Sequence, residues 1–214
     1  MNILDSMFIC LGLYYWCMRR QRYRYREDGF HAGYDPGDIV VSMVSLNPVS
    51  TRAAELLVRE GFHLRLIDGD EVAHHDLYGC TLFQERDIGR YKAAAAKERL
   101  KRVQSAAVVK AFEKQVSGDS DYLLQGDVFL SFVGDRDVNR VVQERCRETS
   151  ASWGVVTVGD GVLHVGGHPD EVCDVNRHEG DLNPADASIA AGVISRRMTR
   201  WVVEGVWSEQ VPLR

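Results

Sequence analysis

Apolar and polar positions along this chain follow two rhythms, a short alternation and a helical period, and the two rhythms take turns. Ile39-Val40-Val41-Ser42-Met43-Val44 reads as a first strand, residues 51–60 as the helix after it, and Leu64-Arg65-Leu66-Ile67 as a second strand. The pattern then predicts a helix over 89–103, an apolar strand near Ala106 to Phe112, a strand over 127–133 and a helix over 136–147. Two late strands, near Gly154 to Val158 and Val162 to Val165, flank Asp160-Gly161, a hairpin signal. A helix over 187–204 closes the pattern. Strands alternating with helices predict an α/β, Rossmann-like fold. Its sheet is largely parallel, covered by helices on both faces, with an antiparallel extension.

The strand ends carry the chemistry. Asp68-Gly69-Asp70 follows the second strand, at the edge where a doubly wound sheet holds a nucleotide's ribose. The same two carboxylates would serve equally as strand-end or capping groups. The turn between the first strand and its helix should be rich in glycine, so that backbone N–H groups can approach phosphates. Here it is Ser45-Leu46-Asn47-Pro48-Val49-Ser50, without a glycine and with a proline that has no N–H. The pattern keeps the shell of a nucleotide-binding fold and lacks its phosphate loop.

Asp68-x-Asp70-x-Val72, Leu77, Leu82-Phe83 and Asp87-Ile88-Gly89-Arg90-x-Lys92-Ala93 together resemble the ThiF/MoeB family, which includes the activating enzymes of ubiquitin-like proteins. The resemblance runs from about Ile39 to Gly205 and includes Asp127-Val128-Phe129-Leu130, Arg136-Asp137-Val138 and Cys146. That second patch is most similar to the adenylation-inactive half of the SUMO-activating heterodimer. The resemblance implies a fold that adenylates the C-terminus of a small β-grasp protein with ATP and magnesium.

The departures from the family pattern fall on the phosphate contacts. Where the family has Gly-x-Gly-Gly-x-Gly, Ser45, Asn47, Pro48 and Ser50 stand. Its Asn-x-x-Arg-Gln becomes Asp76-Leu77-Tyr78-Gly79-Cys80, so Gly79 replaces the phosphate arginine and Asp76 adds a negative charge. The magnesium aspartate falls at Gly134, with Asp135 one place away. Cys173 stands near the first position of the family's zinc clip, and Asn176 takes the partner position. What the resemblance leaves as a relic nucleotide pocket is Asp68, Asp70 and Lys92. Phosphoryl chemistry rests on positioning and charge stabilisation, so no catalytic residue and no ATP or magnesium cofactor is expected. Side chains returned to glycine at Ser45, Asn47 and Ser50 should each destabilise the fold, because the turn is expected to have filled the phosphate space with Leu46 or Val49.

Composition changes this picture little. A length of 214 residues, 45% hydrophobic and 27% charged, suits one globular domain. A net charge of −5 argues against a nucleic-acid partner. The five cysteines are scattered and odd in number, which implies a reducing compartment rather than a disulfide framework. His74-His75 beside Asp76 and Cys80 resembles a metal cluster only in composition, since adjacent histidines diverge and zinc needs about four converging ligands. Cys173, with His168 or His178 nearby, reads as an idle thiol before it reads as a nucleophile.

The N-terminus changes it more. Residues 7–18 form an apolar, aromatic run, and Arg19-Arg20-Gln21-Arg22-Tyr23-Arg24-Tyr25-Arg26 follows at once. The run falls short of the ~20 residues that span a bilayer. It reads as a partner-docking segment, with membrane contact at the headgroup boundary or a start assigned too far upstream as alternatives. The domain organisation is therefore an arm over 1–26, a linker over 27–38 where glycines and Pro36 cluster, and a ThiF-like α/β domain over 39–214. The function expected is a catalytically degenerate subunit of a larger assembly, docked to protein partners partly through residues 1–26. The arginine-rich start suits a mitochondrial, membrane-associated location, with cytoplasm or nucleus as the alternative. The alternative function is the non-adenylating half of a heterodimeric activating enzyme. Tyr34-Asp35-Pro36-Gly37, its nearest match to the family's Tyr-Asp-Arg-Gln segment, lacks the arginine.

Overall fold

A computed structural model describes residues 36–159, 162–166, 183–204 and 209–212 of the chain. From Pro36 onward the chain forms its own compact unit. Strand β1 (Val40–Val44) leads to helix α1 (Pro48–Glu60) and strand β2 (His63–Ile67). A one-turn helix α2 (Asp76–Gly79) and helix α3 (Lys92–Val103) precede β3 (Val109–Phe112). A 3-10 turn over Gly118–Leu123 leads to β4 (Val128–Ser131), α4 (Arg136–Thr149), β5 (Ser152–Gly159) and β6 (Val162–Gly166). Helix α5 (Pro184–Glu204) and β7 (Glu209–Pro212) end the order.

The seven strands form one sheet in the order β3-β2-β1-β4-β5-β6-β7. The first five in that order are parallel, while β5–β6 and β6–β7 pair antiparallel. The expected architecture stands: a parallel Rossmann-like sheet with an antiparallel extension. Successive strand residues point to opposite faces, and the cores divide accordingly. Val41, Met43, Leu64, Leu66, Val128 and Leu130 pack with α1, α3 and α5 on one face. Val44, Ile67 and Phe129 pack with Leu123, Leu124 and α4 on the other. Arg65 is the one β2 side chain on that second face with a charge. It is buried, donates to Leu123 O at 2.9 Å and lies 4.4 Å from the centroid of the Phe112 ring.

Three helix starts differ from the sequence pattern for local reasons, and one strand has no counterpart in it. Helix α1 begins at Pro48 rather than residue 51, because Asn47 caps it and proline at the first helical position loses no intrahelical bond. Helix α5 begins at Pro184 rather than 187, with Asn183 Oδ1 accepting from the N–H groups of Ala185 (2.8 Å) and Asp186 (3.0 Å). Helix α3 begins at Lys92 rather than 89, because the residues before it pair with the loop after β2. Gly89 N–H donates to Val72 O, Val72 N–H to Arg90 O and Lys92 N–H to Asp70 O, at 2.8–2.9 Å. Strand β7 carries no alternation, and its proline sits on an edge strand, where a missing ladder donor is tolerated.

Residues 1–35, the Asp160-Gly161 turn and Cys173 with its neighbouring histidines lie outside the described residues. Among the described residues, no helix is long and apolar enough to cross a membrane.

Candidate functional site

The strand order reverses between β1 and β4, and the crevice at the carboxyl ends of those strands is where such sheets place ligands. Ser45 leaves β1 with φ 71°, in the left-handed region that glycine enters at least cost. The backbone thus keeps the bend of a glycine turn after the glycine itself is gone.

The hydrogen bonds of this turn can be followed residue by residue. Ser45 N–H donates to Ile67 O at 3.0 Å, and Leu46 N–H to Asp68 Oδ2 at 2.6 Å. Asn47 N–H donates to Ser50 Oγ at 2.7 Å, while the N–H groups of Val49 and Ser50 both donate to Asn47 Oδ1 at 3.0 Å. Thr51 N–H donates to Asn47 O at 3.0 Å, the first bond of α1. Pro48 has no N–H. Every backbone donor from Ser45 to Thr51 therefore has a partner inside the chain. The Asn47 carboxamide takes the place at the head of α1 that an anion takes in a phosphate-binding turn. Its Nδ2 also donates to Phe132 O at 3.1 Å, tying the turn to the end of β4 across the crevice. Leu46, Ser50 and Thr51 are fully buried, so the turn is packed as well as bonded. These residues do not fit a triphosphate.

Asp68, expected at a ribose, is buried, and both carboxylate oxygens are engaged. Oδ2 accepts from Leu46 N–H, and Oδ1 from Asp70 N–H at 2.8 Å. Burial raises its pKa, and the two backbone donors and Lys92 oppose that rise. Asp70 is exposed, and its Oδ1 accepts from Gln115 Nε2 at 2.7 Å. Lys92 opens α3, and its ammonium lies 2.9 Å from Asp76 Oδ1. Burial alone would lower the Lys92 pKa. The Asp76 carboxylate outweighs it, with smaller help from Asp68 and Cys80, and holds the ammonium above its ordinary range. The fold thus brings Asp68, Asp70 and Lys92 to one edge, where side-chain and backbone partners already engage them.

The surroundings of Gly79 disfavour any side chain at this position. A Cβ at this position would stand 2.6 Å from Pro48 Cγ. Arg52 of α1 joins the two segments: its Nη1 donates to Pro48 O at 2.9 Å and to Gly79 O, while Nε donates to Ser188 Oγ at 2.9 Å. Cys80 lies beside them, buried, its thiol pushed up to about 12 by burial and then by Asp76. A thiol so rarely ionised is a poor nucleophile and metal ligand. Asp135 is the N-cap of α4, with Oδ1 accepting from Asp137 N–H at 2.7 Å. His74 and His75 are exposed, and no cluster of three or more metal-ligating side chains forms among the described residues.

Sequence reasoning passed over three residues here: Asn47, Asp76 as the partner of Lys92, and Arg52. Asn-Pro followed by Ser50 is a helix-start signal, and it marks Asn47 as a cap. No comparable signal marks Asp76 or Arg52, whose partners include residues of other helices: Lys92 of α3 for Asp76, and Gly79 of α2 and Ser188 of α5 for Arg52.

Among curated proteins, none matches the chain by sequence. Solved structures match its fold. PaaA shares 17% identity over 83% of this chain and 62% of its own, with a TM-score of 0.69. Escherichia coli MccB, in a structure with ATP, shares 13% over 83% of this chain and 64% of its own, with a TM-score of 0.67. The tRNA N6-threonylcarbamoyladenosine dehydratase TcdA of E. coli shares 22% over 58% of this chain and 54% of its own, with a TM-score of 0.53. The chain spans less than two thirds of the length of these proteins. The ThiF family model matches residues 50–173, beginning at Ser50, the last residue of the turn after β1. Because that match covers more than half of the 214 residues, the chain belongs to the ThiF family.

Proposed function

We propose that this ThiF-family domain is a catalytically degenerate, non-adenylating subunit that acts by interaction within a larger assembly. The observation that carries the reading is the turn after β1, where each backbone N–H from Ser45 to Thr51 is already bonded within the chain. A phosphate would have to displace Asn47 Oδ1, Asp68 Oδ2 and Ser50 Oγ to reach those donors. Adenylation relies on donors that stand ready before the nucleotide arrives, so such a turn cannot supply it. The pairing of Lys92 with Asp76 supports the same reading. Residues 1–26 supply the attachment in this proposal, through protein partners or an anionic membrane surface, with a mitochondrial membrane as the expected location.

A second reading, the non-adenylating half of a heterodimeric activating enzyme, draws on the Asp127 to Leu130 and Arg136 to Val138 motifs. The two part company in the proteins that co-purify with the full chain. A ThiF-family partner with an intact glycine turn favours the heterodimer, and other partners favour the scaffold. Calorimetric titration with Mg-ATP tests the shared premise. No binding is expected; micromolar affinity lost in Lys92→Ala, or adenylate formed on a β-grasp protein, overturns it.

A further inference from the structure

Two cations near the carboxyl edge of the sheet, Arg52 and Lys92, are treated differently. Arg52 pairs with no carboxylate among the described residues and donates to two carbonyl oxygens and a hydroxyl. Lys92 is paired with Asp76, in a salt bridge whose side chains are 12% and 6% exposed. Asp76 lies outside the sheet, at the start of the one-turn helix α2. Its second oxygen, Oδ2, accepts from Ala73 N–H at 2.8 Å, which fixes the carboxylate toward Lys92. An asparagine of the same shape would keep the Ala73 bond through its one oxygen and turn its NH2 toward Lys92, so the charge and the acceptor facing the ammonium are both lost.

We infer that Asp76 is a built-in anion: its carboxylate occupies Lys92 in place of an external phosphoryl group and keeps such ligands out. The inference rests on the proposed degenerate reading of the site and names the device that closes it. A buried ion pair broken on one side leaves an uncompensated charge, which is costly in a low-dielectric setting. With Asp76 neutralised, Lys92 therefore becomes a ready partner for a small polyvalent anion, and whatever binds the folded state alone raises its stability.

The test uses full-length protein at low ionic strength, with inorganic pyrophosphate as the probe and the thermal midpoint as the readout. Millimolar pyrophosphate is expected to raise the Tm of Asp76→Asn by about 4 °C, and that of the native chain by under about 1 °C. The response should vanish in Asp76→Asn/Lys92→Met. An Asp76→Asn variant that responds no more than the native chain overturns the inference, as does an equal response in the folded double variant. A variant that needs pyrophosphate to fold supports it, and one that stays unfolded with and without pyrophosphate overturns it. Binding of Mg-ATP by the native chain would instead sink the degenerate reading itself, so the two failures are distinguishable.

Discussion

A Cβ placed on Gly79 would meet Pro48 Cγ at 2.6 Å and Pro48 Cβ at 3.0 Å. A side chain at 79 and the proline at 48 are therefore sterically incompatible. Pro48 packs where a side chain at 79 would leave the backbone, and Arg52 bonds to both carbonyl groups from the α1 side. A proline at 48 beside any side chain at 79 would strain the site.

That coupling is measurable. Gly79→Ala should cost about 2 kcal/mol by overpacking against the proline ring. Pro48→Ala removes the clashing Cγ, so the double variant should be less destabilised than the sum of the singles. Denaturant unfolding of the four proteins gives the coupling free energy, and strict additivity would mean that the loop moves aside without cost.

The elements of the parallel sheet were legible because their signals are local. The alternation in Ile39 to Val44 and Leu64 to Ile67 predicts strands, and β1 and β2 divide their side chains between two cores as that alternation requires. The chemistry of the turn was only half legible. Its lack of glycine shows in the sequence, but the replacement of the phosphate by the Asn47 carboxamide depends on α1 starting at Pro48. The Lys92–Asp76 pair was not legible, since it needs the loop between β2 and α3 to fold back on itself. Strand β7 was hidden for another reason: its pairing with β6 is made by backbone groups and leaves no hydrophobic alternation.

Restoring glycines to the turn separates its positions. All three were expected to destabilise, yet the φ of 71° at Ser45 reverses the expected sign there. Ser45→Gly should stabilise by up to ~1 kcal/mol, since it relieves a left-handed serine. Asn47→Gly removes the cap, the Phe132 bond and the side-chain acceptor for Val49 and Ser50. Its cost should be about 1 kcal/mol or more. Ser50→Gly loses the reciprocal bond to Asn47 N–H and adds a flexible helix residue, again about 1 kcal/mol. Opposite shifts in the urea midpoint for Ser45→Gly and Asn47→Gly are the check.

Deleting residues 1–26 should leave the α/β domain folded, because the compact unit begins at Pro36. The truncated chain should pass from a complex or membrane fraction into the soluble, monomeric one. If full-length and truncated protein already fractionate alike, the arm is no anchor. A truncated chain that fails to fold would place the arm in the core.

Alkaline pH should loosen the carboxyl edge in a way traceable to one lysine. The Lys92 ammonium is held above its unfolded value of 10.5, so the folded chain binds this proton more tightly than the unfolded one. The stability it contributes is fully present below 10.5 and is lost as pH rises through the higher folded value. Lys92→Met leaves the Asp76 carboxylate buried without its cation, which should cost about 2 kcal/mol at about pH 9. Above the folded value the native lysine is neutral as well, so the gap between the two proteins should shrink as pH rises through that value. Urea midpoints of both proteins across the alkaline range decide the matter, because every other side chain is common to the two. A gap that stays constant would mean that Lys92 acts through packing of its methylenes on α2 rather than through its charge.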